Sequence, residues 1–194
     1  MIIEADKEKV LKEFEEKYVK NRHIIEFKKI IEKYMKDREK IKENLSSIFN
    51  SVCKEAISLQ ERNLKGEIKY IYLSMLRTRL LENKGIWRVD LYDEKWFLDK
   101  EECSISIDFD FVYEPLFNHM KELSEKKKEY LRTIKEEDIH IIKLKEADGY
   151  NFLALNIIKD IVPSFLVCDS YKQMIKREDL VIMAGEYMDA AIKI

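Results

Sequence analysis

The sequence predicts an α+β fold, mainly helical, in which a helical bundle packs on one face of a short three-stranded antiparallel β-meander at about residues 86–111. Three observations lead there. Only 4 Gly and 2 Pro occur in 194 residues, where average usage would supply roughly 23, so tight turns are few and sandwiches, barrels and doubly wound sheets are disfavoured. Apolar residues recur at helical spacing before Gly66 and again after Pro115. Between these regions the period falls to two, the spacing of a half-buried strand.

Taken in order, the region at about 5–64 carries Leu11, Phe14, Tyr18, Ile25, Ile31, Met35, Ile41, Leu45, Ile48, Val52, Ala56 and Leu59 on a helical repeat without a Gly or Pro. It is read as an arm, or as a helical hairpin turning at Asn21–His23 or Asn44–Ser47. A further helix is expected from about Glu67 to Asn83, stopped by Lys84–Gly85. The three strands of the meander are Trp87–Leu91, Trp96–Leu98 and Ile105–Phe111, whose second face should show hydroxyls and carboxylates to water. Pro115 suits a helix first turn, Gly149 is a point of division and Pro163 a stop for the next helical segment, and the final helix is expected from near Asp179, with a short strand at Leu180–Ala184 as the alternative. Hydrophobic residues make up 46% of the chain, enough for one core. With no repeat or linker-like stretch, residues 1–194 are read as a single domain.

Composition narrows the function more by exclusion than by signal. The formal charge is -2, which gives no global attraction to nucleic acid or acidic membrane. The three cysteines, Cys53, Cys103 and Cys168, form no close pair and read as small buried thiols in a reducing compartment. No apolar run approaches the 18 or so residues of a membrane helix, and the chain is expected to be cytoplasmic. The glycines at 66, 85, 149 and 185 are too far apart for a dinucleotide fingerprint or a phosphate loop, so no cofactor is implied. Glu137 and His140 match half of a di-iron motif that has no second copy, and no metal site is assigned.

Two charged segments stand out. Residues 86–118 hold nine acids against three bases; Asp108, Asp110, Glu114 and His119 are the residues that a divalent-metal-assisted hydrolase would use as ligands, acid and base. Residues 17–42 hold ten bases against four acids; Lys28, Lys29, Lys33, Lys36 and Arg38 are those that a nucleic-acid-associated protein would set against phosphates. Both patterns also suit ordinary solvated faces, and lysine outnumbers the bidentate arginine. The reading preferred here is a small cytosolic interaction or regulatory protein without catalytic activity of its own. Its partner would be another protein or a second copy, as a homodimer through the long N-terminal apolar stripe; nucleic acid and membrane are not expected partners.

Overall fold

The computed structural model describes residues 4–131 and 133–194. Helix α1 (Glu4–Tyr18) is followed by a break at residues 19–21, where Asn21 takes the left-handed conformation. Helix α2 (Arg22–Glu61) then runs 40 residues, about 60 Å at 1.5 Å per residue. Strand β1 (Ile68–Met75), short helix α3 (Arg77–Leu81), strand β2 (Ile86–Tyr92), a 3-10 turn (Trp96–Leu98) and strand β3 (Ser104–Asp108) follow. Helices α4 (Asp110–Lys126), α5 (Glu136–Phe165) and α6 (Asp169–Gln173) precede strands β4 (Lys176–Glu186) and β5 (Ala191–Lys193).

The fold is α+β and mainly helical, but its sheet corrects the expected meander. Five strands lie in the order β3-β2-β1-β4-β5, and the β1–β4 pair is parallel. The residues expected to form a helix at 67–83 supply β1 and α3, and those expected to form a final helix from Asp179 supply most of β4, which contains the alternative strand Leu180–Ala184, and the turn to β5. The reason is burial. Strand β1 is central, so Ile71, Tyr72, Leu73 and Met75 are all buried, and a strand covered on both faces loses the alternation that marks a half-buried one. Trp96–Leu98 is a single 3-10 turn rather than a middle strand, and β3 ends at Asp108 because Phe109 leads into α4.

One sheet face carries Leu73, Met75, Trp87, Val89, Leu91, Ile107 and Ala184, brought side by side by the register and all buried. Helices α2 and α5 meet the strands there. Helix α5 passes unbroken through Gly149, against expectation, and the glycine has a packing role: a Cβ on it would lie 2.9 Å from Cζ of Phe27. The second face is not open to water. Trp96 stacks on Tyr72 with ring centroids 5.8 Å apart and meets Tyr70 edge-on at 4.2 Å, while Phe97 lies 5.4 Å from Tyr92 and 6.4 Å from Tyr187. Under this aromatic layer Ser74 and Asp90 are buried. Arg88 donates to Asp90 at 2.7 Å, and burial nonetheless holds that carboxyl above its ordinary pKa. Trp96 has φ 57°, a left-handed conformation that costs a bulky residue about 1–3 kcal/mol and persists only where packing fixes it.

Candidate functional site: a groove between the two longest helices

On α2, Phe27, Ile31, Tyr34, Met35 and Arg38 recur every three or four residues and so share one side of the helix. On α5, Phe152, Leu153, Asn156, Ile157 and Asp160 do the same. Together they line a groove of about 620 Å³. Its floor is buried, with Tyr34, Leu153 and Ile157 below one-tenth exposure, whereas on its rims Ile31 is 47%, Met35 61% and Phe152 68% exposed. Three large apolar side chains around one concavity differ from isolated surface apolar residues, which need no explanation.

The groove is closed differently at its two ends. At one, Phe27 meets Tyr150 edge-on at 4.9 Å and nests against Gly149. At the other, Arg38 makes a two-pronged contact with Asp160: Nε donates to Oδ2 at 2.7 Å and Nη2 donates to Oδ1. Tyr34 donates its hydroxyl to the same carboxylate at 2.6 Å, and Lys42 lies 3.2 Å from it. The Arg38 hydrogen bond, reinforced by Tyr34 and Lys42, holds the Asp160 carboxyl well below the usual carboxylate range. Two cations share one anion, so this end carries a surplus positive charge.

The basic residues singled out in the sequence divide here. Lys29, Lys33 and Lys36 share an outward stripe of α2 and are exposed, and Lys29 is bonded to Glu26 at 2.8 Å. Lys28 lies about 100° round the helix from Lys29, and Arg38 is turned inward to Asp160. The acidic set divides too. Asp108 accepts from the Asp110 amide at 2.6 Å, and Asp110 accepts from the Gly85 amide at 2.5 Å, so both carboxylates fasten the β3–α4 junction. Gly85 is needed at that junction, since a Cβ there would lie 2.5 Å from the Tyr113 ring. Glu114 and His119 instead line a separate cleft of about 420 Å³ with Arg22, Glu26 and Glu122. Among the described residues, no three His, Cys, Asp or Glu side chains are placed to hold a metal ion.

His119 is buried, and its Nε2 lies 3.0 Å from the Tyr18 carbonyl oxygen, to which it donates. Burial holds the imidazole below its ordinary pKa, with Arg22 acting in the same direction and the Tyr18 bond, Glu122 and Glu26 opposing. The folded state therefore binds the proton less readily than the unfolded one, so stability is full above the unfolded value of about 6.5 and falls as pH drops below it. Denaturant titrations at pH 7 and pH 5 should show a smaller acid loss for His119→Gln than for the parent; equal losses would remove His119 from the account. Burial also pushes the Cys53 and Cys103 thiols up to about 12, which keeps them protonated near neutral pH.

The groove itself was missed in the sequence. Its signal was an apolar arc on α2 wider than one core-facing stripe, in which Ile24, Ile31 and Met35 accompany Phe27 and Tyr34. No family model, curated protein or solved structure matches this chain. No helix of the described residues is long and apolar enough to cross a membrane.

Proposed function

We propose that the chain is a cytosolic interaction module that works by binding, receiving an amphipathic helix of a partner protein in the groove between α2 and α5. The exposed apolar rim formed by Ile31, Met35 and Phe152 carries this reading. Phe27 and Arg38 lie 11 positions apart on α2, about 16 Å or three helical turns. That length matches a helix offering apolar anchors at i, i+4, i+7 and i+11. Charge selects the partner further. The Arg38–Lys42 end sets two cations against the single carboxylate of Asp160, so the complementary helix has an acidic flank at that end.

Two synthetic helices test this, both with leucine at those four spacings, one flanked by glutamate and one by lysine. Fluorescence anisotropy should show micromolar binding of the acidic peptide, about tenfold tighter than the basic one. Phe152→Asp should abolish binding with little loss of stability, since Phe152 is 68% exposed. Equal affinity for both peptides, or binding that survives Phe152→Asp, would overturn the proposal. So would a dimer in sedimentation that Phe152→Asp dissolves, because the groove would then belong to a second copy.

A further inference from the structure

Lys143 on α5 is 3% exposed. Its Nζ donates to the Leu81 carbonyl oxygen at 3.2 Å and to Asn83 Oδ1 at 2.8 Å, and it stands 5.2 Å from the centre of the Phe117 ring. All three partners are neutral, and among the described residues no carboxylate lies within ion-pair distance of it. The other buried lysine, Lys65, shows the usual arrangement: its Nζ is 2.6 Å from Asp99 Oδ2. A charge removed from water without a counter-charge is costly, and burial accordingly holds the Lys143 amine below its ordinary pKa.

Lys143 lines a cleft of about 220 Å³ between α4 and α5, with Lys121, Ser124, Glu125, Glu136 and His140 around it. The two glutamates are already engaged by neighbouring side chains. Glu136 binds Lys127 and accepts from Ser124 at 2.9 Å, and Glu125 binds Lys128 at 2.5 Å. Lys121 is exposed and has no ion-pair partner among the described residues. The two lysines of the cleft are therefore its unbalanced charges, one at the buried wall and one at the rim.

We infer that the α4–α5 cleft binds a small dianion, a phosphoryl group or a short dicarboxylate, with Lys143 as the buried anchor and Lys121 as the second cation. At roughly 30 Å³ per water, the space holds about seven waters, enough for such a group and a small substituent. The site lies apart from the α2–α5 groove and stands whether or not that groove takes a helix.

Thermal melts with inorganic phosphate and with succinate, each against chloride at matched ionic strength, test the inference and separate the two chemistries. A hundredfold excess over Kd of the preferred anion should raise Tm by about 5 °C. Lys143→Met should lose that rise while leaving the anion-free Tm unchanged or higher, because it removes an uncompensated buried charge. A lysine needed only for packing would instead lower Tm. Lys121→Ala, on the surface, should weaken binding several-fold and keeps the test open if Lys143→Met fails to fold. The inference is overturned if neither anion acts beyond chloride, or if the rise persists in Lys143→Met or is undiminished in Lys121→Ala.

Discussion

Asp99→Ala is expected to cost about 3–5 kcal/mol of stability, seen as a fall in Tm on the order of 10 °C for a chain of this size. Asp99 and Lys65 form an ion pair whose side chains are 3% and 0% exposed. The same carboxylate accepts the amides of Asp93 at 3.0 Å and Glu101 at 3.2 Å. Removing it strands the Lys65 ammonium, left with only the Glu101 carbonyl at 2.8 Å, and orphans two backbone donors. Lys65→Met should cost less, because Asp99 keeps those two amides. The loop so fastened carries Trp96 and Phe97 over the second sheet face, so Asp99→Ala should also red-shift Trp96 emission while Trp87, 1% exposed in the core, stays unchanged. Variants that melt in the reverse order would show that the ion pair does not anchor this loop.

Phe109→Ala is the second large loss expected, about 3–5 kcal/mol for a buried phenylalanine reduced to a methyl group. Phe109 is fully buried at the point where β3 passes into α4, with its ring centroid 5.6 Å from Phe111 and 5.9 Å from Trp87. Trp87 in turn donates from Nε1 to the Tyr113 hydroxyl at 3.1 Å, which donates to Asn151 at 2.8 Å. The cavity would thus open beside a polar relay linking β2, α4 and α5, with little freedom to collapse. Calorimetry showing a change in Tm of only a degree or two would mean that the surrounding rings repack.

Legibility in the sequence followed burial. The alternation of Trp87, Val89 and Leu91 marked β2 because its neighbours Arg88 and Tyr92 remain partly exposed, and β3 was visible for the same reason in Ser104–Asp108. In β1, by contrast, Ile68, Ile71, Tyr72 and Met75 also satisfy a helical repeat, and short apolar runs cannot be separated by period alone. The aromatic residues of Trp96–Leu98 suggested a strand; they are aromatic because they roof the polar sheet face. The candidate acids were drawn together by closeness in sequence. Asp110 points to Gly85, whereas Glu114 and His119 are carried to another cleft by α4. Lys143 could not be recognised at all, since one lysine among so many shows its isolation only once its neighbours are placed.

The parallel pairing of β1 with β4 also sets an order of events during synthesis. Tyr70 pairs with Val181, 111 positions later, and at about 5–20 residues per second that interval lasts roughly 6–22 s. Through it, β1 can hold β2 on one side while its other edge, with Ile71 and Leu73 beside it, presents unpaired backbone groups to any neighbouring chain. Contacts so distant in sequence also slow folding, because a long loop must close before they reward it. A nascent chain stopped short of Lys176 would contain α1 to α6 and still lack the β1–β4 and β4–β5 pairings of its sheet, so one edge of its central strand would stay open until the last segment emerged.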